Sequence, residues 1–174
     1  LDSKFGIERK DCLAICKKLC AASGIRFLGI HSHIGSQIFD IDPYNELVDI
    51  MMSMILSLKN EGIHVKELNL GGGLGIHYTD EDTKIDIANV IRNLTLNVKK
   101  RFDEAGLPYP VLLLEPGRSI VGNAGITIYK VGTVKNIKGL KKYVFVDGGM
   151  ADNPRPMMYQ AKYSFANATQ KTKK

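Results

Sequence analysis

Three polar or glycine-rich segments each follow directly after a short apolar run, and their residue types could together form a ligand site. They are residues 31–37 (HSHIGSQ) after 25–30, residues 71–75 (GGGLG) after 65–70, and residues 115–118 (EPGR) after 111–114. In parallel α/β folds, ligands bind beyond the carboxyl ends of the strands. We therefore expect a stacking ring, a phosphate-binding turn and an acid beside a guanidinium to meet at one edge of a sheet.

Gly71, Gly72 and Gly73 are candidate phosphate-binding residues. Consecutive glycines at a strand end let backbone N–H groups approach an anion. The dinucleotide-binding pattern fails because Ile76 stands where that pattern needs glycine, and the P-loop pattern fails because no Gly-Lys-Ser/Thr is present. The alternative is a flexible turn that binds nothing.

His31 and His33 lie two residues apart, so both face the same side of a strand. Metal binding is one interpretation, although partner carboxylates are not obvious in the sequence, and an ordinary core or surface histidine is another. The residues that follow make the pair more specific. The hydroxyl of Ser36 could bind a phosphate, and an imidazole can stack on an aromatic ring.

Glu115 follows four apolar residues, which predicts a carboxylate at a buried strand end. Burial disfavours the charge unless a cation pairs with it. Arg118, three residues later, is one candidate partner, and the pair would then simply close the strand. A protonated pyridine nitrogen is the other candidate.

A fourth motif, residues 147–159 (DGGMADNPRPMMY), contains an arginine between two prolines. The prolines predict an extended segment around Arg155. Its planar guanidinium suits a carboxylate or a phosphate, and Tyr159 could add a hydroxyl donor. A surface loop is the alternative for the arginine and prolines alone.

Amphipathic helices separate the apolar runs. The spacing of apolar residues predicts helices over residues 8–22, from 42 onward and over 87–102, with Asp42 as the N-cap of the second and Pro43 as its first residue. Each helix ends at a glycine, and a short connection leads to the next strand. The long connections all follow strands, as in a (β/α)8 barrel, whose units average roughly 30 residues.

The residue composition of the sequence changes after residue 122. Residues 126–134 and 143–146 are β-branched and aromatic, which predicts antiparallel β structure. We predict an α/β chain in which residues 1–122 form the C-terminal portion of a partial TIM barrel and residues 123–174 begin an all-β domain. Three strand–helix units cannot close a barrel, so we expect a piece of a larger protein or of an obligate assembly.

Composition excludes some classes of function. The net charge is +6, and Lys171, Lys173 and Lys174 supply half of it, which is too little elsewhere to indicate nucleic-acid binding. No apolar run is long enough to span a membrane. Three cysteines, Cys12, Cys16 and Cys20, lie four residues apart, which favours small buried side chains over a metal site. Unpaired cysteines indicate a reducing compartment, and we expect a cytoplasmic protein.

Together these motifs resemble the alanine-racemase-like (fold type III) pyridoxal-phosphate decarboxylases, and within them the diaminopimelate decarboxylase family. The matching segments occur in the family's order over nearly the whole chain: residues 4–7 (KFGI), 31–37, 70–76 (LGGGLGI), 115–120 (EPGRSI) and 147–159. The EPGR and glycine segments are shared widely in the superfamily. The last segment favours diaminopimelate over ornithine or arginine as substrate.

The resemblance implies a role for each matched residue and no metal. His33 and Glu115 would be catalytic, His33 stacking on the pyridoxal-phosphate ring and Glu115 facing the pyridine nitrogen. Arg118, Arg155 and Tyr159 would bind the substrate carboxylate. The residues implied in cofactor binding are His33, Ser36, Gly71, Gly72, Gly73, Glu115, Pro116, Gly117 and Arg118.

The resemblance also implies decarboxylation of meso-2,6-diaminopimelate to L-lysine and CO2, the last step of lysine biosynthesis, by a homodimer with shared active sites. The family's Schiff-base lysine has no match here, so we expect these 174 residues alone to be inactive. The alternatives are another fold type III decarboxylase, acting on carboxynorspermidine, ornithine or arginine, and a non-catalytic module that binds pyridoxal phosphate.

Overall fold

The computed structural model describes residues 4–169, which divide into two compact units. Within the described residues, the first unit comprises 4–76 and 83–120, and the second comprises 77–82 and 121–169. The elements in chain order are α1 (Arg9–Ala21), β1 (Gly29–His31), α2 (Asp42–Asn60), β2 (Glu67–Asn69), α3 (Ile87–Glu104), β3 (Val111–Leu113), α4 (Arg118–Val121), β4 (Val131–Ile137), β5 (Lys141–Val146) and α5 (Arg155–Tyr159).

The first unit is a parallel sheet in the order β1-β2-β3, with helices following the strands. The predicted α/β class, with parallel βα units followed by antiparallel β structure, is confirmed. The regular strands span three residues each, shorter than the apolar runs that predicted them. Their register places Ile30 beside Leu68 and Leu68 beside Leu112, in one row across the sheet.

That row faces the hydrophobic core. Leu68 and Leu70 are fully buried, and they pack with apolar side chains of α2 and α3 such as Val48, Leu94 and Phe102. Alternate residues of a strand point to opposite faces, so residues 67 and 69 lie on the face away from this core. The helices thus cover one face of the sheet in the first unit, and the polar strand residues lie on the other.

The helix predictions are confirmed, with one correction at the start of α2. Asp42 is the first helical residue, and Ile41 occupies the N-cap position. The carboxylate of Asp40 accepts a hydrogen bond from the backbone N–H of Asp42 at 3.2 Å, so the acid that bonds the helix start lies two residues before the predicted N-cap. Pro43 then lies at the second helical position, where its missing N–H costs no hydrogen bond.

The cysteines of α1 follow the prediction only in part. Cys16 is buried, but Cys12 is half-buried and Cys20 is exposed, because α1 contacts the rest of the unit mainly through α2. Burial, with smaller contributions from the other two thiols, raises the pKa of Cys16 above its ordinary value. No disulfide forms among these three residues.

The second unit contains an antiparallel pair, β4 with β5, joined at a turn that includes Gly139, so the predicted antiparallel β structure is present. Its first strand is shifted from the prediction, because residues 126–130 are not in a strand and β4 continues to Ile137. Side chains on both faces of this ribbon are exposed, Val144 and Phe145 among them. The predicted extended segment around Arg155 is wrong, because residues 155–159 form the short helix α5. Pro156 fits there since the first turn of a helix does not use its N–H groups.

None of the helices in residues 4–169 is long and apolar enough to cross a membrane.

Two leucines of α3 test this packing directly. Leu94 is 1% exposed and Leu96 is 58% exposed. We expect Leu94→Ala to lower the free energy of unfolding by about 2–5 kcal/mol, because it removes a buried side chain and leaves a cavity. Leu96→Ala, the matched control, should cost roughly 0.5 kcal/mol or less. Urea unfolding of the full-length protein measures both, and equal losses would contradict the placement of this core.

Candidate functional site

The register of the sheet brings the three predicted segments together. His31 pairs with Asn69, and Asn69 pairs with Leu113, so these three residues form a row on the face opposite the core. Two residues further along the chain come His33, Gly71 and Glu115, and the φ of 68° at Gly71 ends the extended conformation there. The backbone N–H of Glu115 donates to the carbonyl of Gly71 at 2.8 Å, which continues the sheet past the last regular strand residue.

The glycine segment lies where side chains do not fit. A β-carbon on Gly72 would lie 2.1 Å from the carbonyl oxygen of Glu115, and one on Gly73 would lie 2.1 Å from that of Gly35. Real β-carbons do not approach an oxygen so closely. Only glycine therefore allows residues 72 and 73 to run this close to the neighbouring strand ends.

Hydrogen bonds from two other elements hold Gly72 in place. The hydroxyl of Tyr44, on α2, donates to the Gly72 carbonyl at 2.9 Å. The N–H of Gly72 donates to Nδ1 of His33 at 3.2 Å. Nδ1 must then be unprotonated, so a neutral His33 carries its proton on Nε2. Tyr44 is 1% exposed, and burial raises the pKa of its hydroxyl, which keeps it a donor.

The loops that follow β1 and β2 are also bonded to each other. Ile38 and Leu74 form a parallel bridge, with the Ile38 N–H donating to Gly73 at 3.0 Å. The side-chain amide of Gln37 accepts from the Ile76 N–H at 3.0 Å and donates to the Ile76 carbonyl at 3.2 Å. The long strand-to-helix loops thus form a defined surface beyond the strands.

Glu115 is more exposed than predicted, with 54% of its side chain accessible. Its strand end lies on the face that the helices do not cover. One carboxylate oxygen, Oε1, accepts from Nδ2 of Asn69 at 2.9 Å, and Oε2 lies 3.4 Å from Nε2 of His31. The structure therefore surrounds the acid with polar groups and does not bury it.

A cavity of about 240 Å³ lies at this edge of the sheet, and its lining comes from all three segments. It contains six of the predicted site residues. Gly71 and Gly72 are buried behind this surface, and Pro116 lies between two residues that line it. The lining residues are His33, Ser36, Gly73, Leu74, Glu115, Gly117, Arg118 and Ser119.

Arg155 and Tyr159 lie in the second unit, on α5. The guanidinium carbon of Arg155 lies 5.8 Å from the centre of the Tyr159 ring, a cation–π distance. The helix accounts for this contact, because residues four apart lie on the same helical face. The two residues do come together, but through a helical turn and not through an extended segment.

Three residues that the sequence did not single out shape the site: Asn69, Tyr44 and Gln37. Asn69 had a usable signal, since it is a polar residue at the end of an apolar strand, directly before the glycines. Tyr44 had none, because its partner lies 28 residues away in the sequence. Gln37 lies in the predicted segment 31–37, but its partner is 39 residues away and the sequence assigned it no role. No group of three His, Cys, Asp or Glu side chains in residues 4–169 is placed to hold a metal ion.

A parallel sheet with an acid, an imidazole and a glycine turn at its carboxyl edge defines a class of cofactor-binding enzyme domain. Residues 1–122 match the family model described as "Pyridoxal-dependent decarboxylase, pyridoxal binding domain", and the chain belongs to this family. Its cofactor is pyridoxal 5′-phosphate. The lining fits that group, because Ser36 and Arg118 offer donors for a phosphate and the cavity also contains a carboxylate and an imidazole for the ring.

Within this family, the curated proteins that the chain resembles include diaminopimelate decarboxylases. The chain is 41% identical over 168 residues to the diaminopimelate decarboxylase of Synechocystis sp., covering 97% of the chain and 36% of the relative. It is 39% identical to that of Bacillus subtilis, covering 96% of the chain and 39% of the relative. The chain thus spans somewhat more than a third of the length of these curated relatives.

A solved structure gives the same result. The crystal structure of diaminopimelate decarboxylase from Helicobacter pylori complexed with L-lysine matches with a TM-score of 0.76 at 30% identity, covering 94% of this chain and 39% of that one. The chain therefore has the fold of part of a fold type III decarboxylase, as its sequence predicted.

The close approach at Gly72 yields a prediction about cofactor binding. Gly72→Ala should weaken the binding of pyridoxal phosphate by the full-length protein roughly 10-fold or more, about 1.4 kcal/mol, because the methyl group must push the glycine segment away from Glu115. Gly125→Ala is the control, since a β-carbon there meets nothing within 4 Å. An absorbance titration measures both dissociation constants, and unchanged binding by Gly72→Ala would contradict the account.

Proposed function

We propose that this chain is part of a pyridoxal-phosphate-dependent enzyme that decarboxylates meso-2,6-diaminopimelate to L-lysine and CO2, the last step of lysine biosynthesis. The observation that carries the proposal is a cavity in the first unit that combines His33, Gly73 and Glu115. The diaminopimelate decarboxylases of about 40% identity support the substrate.

The cofactor would be held by the residues at the strand ends. Gly73 and Ser36, which line the cavity, would bind its phosphate, because a backbone N–H and a hydroxyl suit an anion. The N–H groups of Gly71 and Gly72 already donate to Asn69 and His33, so these two glycines would shape the turn. His33 would stack on the ring, and the hydrogen bond from Gly72 sets the orientation of its imidazole. Residues 115–118 line the opposite side of the cavity, through Glu115, Gly117 and Arg118.

Decarboxylation leaves an electron pair on the α-carbon, and bound pyridoxal phosphate supplies the electron sink for it. In this chain, Glu115 would keep a proton on the pyridine nitrogen, since a neighbouring negative charge favours the protonated form of a base. Asn69 and His31 leave lone pairs of the Glu115 carboxylate available for that contact, because a carboxylate has about four acceptor positions.

The substrate carboxylate would be bound by arginine and tyrosine side chains. Arg118 lines the cavity, and the helical turn of α5 presents Arg155 beside Tyr159. A guanidinium binds a carboxylate through two parallel hydrogen bonds, and a diamine that lacks the distal carboxylate would leave it unpaired. This accounts for a preference for diaminopimelate over lysine or ornithine.

We further propose a cytoplasmic homodimer with shared active sites, whose barrel portion here is residues 1–122 and whose β domain begins at 123. The family match over residues 1–122 and the division of the structure into two units support the boundary. The unpaired cysteines support a reducing compartment. The exposed apolar residues of β5 require cover, which further chain or a second subunit would supply.

Turnover by the full-length protein tests the function. With pyridoxal phosphate, we expect release of CO2 from meso-diaminopimelate and equal formation of L-lysine. Preferred turnover of ornithine, arginine or carboxynorspermidine would assign the chain to another fold type III decarboxylase. Binding of pyridoxal phosphate with no decarboxylation of any of these would favour a non-catalytic module.

Arg155→Ala separates substrate binding from cofactor binding. We expect kcat/KM for diaminopimelate to fall roughly 100-fold, about 3 kcal/mol, because the substrate carboxylate loses its guanidinium. The dissociation constant for pyridoxal phosphate should stay unchanged, as should kcat/KM in the control Arg92→Ala, at an exposed position of α3. Full activity of Arg155→Ala would remove this residue from the substrate site.

A further inference from the structure

We propose that Asn69 and His31 are positioning residues for Glu115. Asn69 donates a hydrogen bond to Oε1 of the carboxylate, and Nε2 of His31 lies 3.4 Å from Oε2. These two contacts set the plane of the carboxylate so that its remaining lone pairs face the cavity. The inference rests on the proposed function, in which Glu115 contacts the pyridine nitrogen of the cofactor.

The strand register makes this arrangement possible. His31 and Asn69 are register partners on β1 and β2, and Leu113 is the register partner of Asn69 on β3. Glu115 lies two residues beyond Leu113 on the same face, one row further toward the cavity. The Glu115 carboxylate, at the end of two methylene groups, reaches back over one row and meets side chains from the ends of β2 and β1 there.

The amide of Asn69 has only one orientation that satisfies both of its contacts. Its oxygen accepts from the N–H of Gly71 at 2.8 Å, and its nitrogen donates to Oε1 of Glu115 at 2.9 Å. Because an N–H group requires an acceptor, Gly71 turns the amide oxygen toward itself and the NH2 toward Glu115. The glycine segment that forms the turn thus also sets the group that orients the acid.

His31 makes the second contact with the Glu115 carboxylate. Its Nε2 lies 3.4 Å from Oε2 of Glu115, and both side chains are about half exposed, at 50% and 54%. An exposed pair of this kind contributes little to folding stability. Its effect is on orientation, because the terminal torsion of a glutamate is broad and one contact would leave the carboxylate free to turn.

The test uses the full-length protein with the variants Asn69→Leu, His31→Leu and His31→Gln. Leucine removes the polar contact at similar size, and glutamine keeps an N–H donor for Oε2 at position 31. Asn97→Leu is the matched control, since it removes an amide hydrogen bond of 2.8 Å between α2 and α3, away from the cavity. Four quantities are measured: the 15N chemical shift of the pyridine nitrogen in labelled pyridoxal phosphate, its dissociation constant, the melting temperature, and kcat with KM.

We expect the leucine variants to move the 15N shift toward that of the unprotonated nitrogen and to lower kcat roughly 10-fold, because Glu115 is no longer held toward the ring. In His31→Leu, KM and the dissociation constant of pyridoxal phosphate should change less than twofold. Its melting temperature should equal that of the wild type within experimental error. His31→Gln should keep most of the wild-type 15N shift and most of the wild-type kcat. Asn97→Leu should change neither quantity.

An unchanged 15N shift in both leucine variants would overturn the inference. An equal loss of kcat in His31→Leu and His31→Gln would also overturn it. So would a fall in kcat accompanied by lower cofactor affinity and a lower melting temperature in His31→Leu, because that combination indicates a purely structural role. If Asn69→Leu does not fold, the two His31 variants decide. The 15N shift needs no substrate, so it still tests the inference if the wild-type protein does not decarboxylate diaminopimelate.

Discussion

The approach of the Gly72 backbone to the carbonyl of Glu115 is the constraint on which the site depends. A β-carbon at residue 72 would lie 2.1 Å from that oxygen, so the two strand ends can meet only through glycine. The same residue accepts from buried Tyr44 and donates to His33, which connects α2 and the loop after β1 to the same point. The position of the imidazole, the turn and the acid therefore follows from one backbone segment.

The polarity of the site follows from the two faces of the sheet. Leu68 and Leu70 bury one face against α2 and α3, and this burial fixes the register. Once the register is fixed, Asn69 and His31 have to lie on the other face beside Glu115. Hydrophobic packing on one side of three short strands thus determines which polar groups surround the acid on the other side.

Much of this was predictable from the sequence, because the signals are local. Apolar spacing predicted α2 and α3, the terminal glycines predicted where the helices end, and apolar runs followed by polar segments predicted which residues line the cavity. The contacts of Asn69 and Tyr44 were not predictable, since they join residues 46 and 28 apart and depend on register and on helix rotation. The helical turn at Arg155 was mispredicted because a proline near a helix start looks the same in sequence as one in an extended segment.

A crystal structure of the full-length protein with bound pyridoxal phosphate tests the central claim most directly. That claim states which part of the cofactor each residue of the cavity contacts. The account predicts the phosphate at Gly73 and Ser36, the ring on His33, and a Glu115 oxygen roughly 2.6–3.2 Å from the pyridine nitrogen. A cofactor whose nitrogen faces another residue, or whose phosphate lies away from the glycine segment, would contradict it.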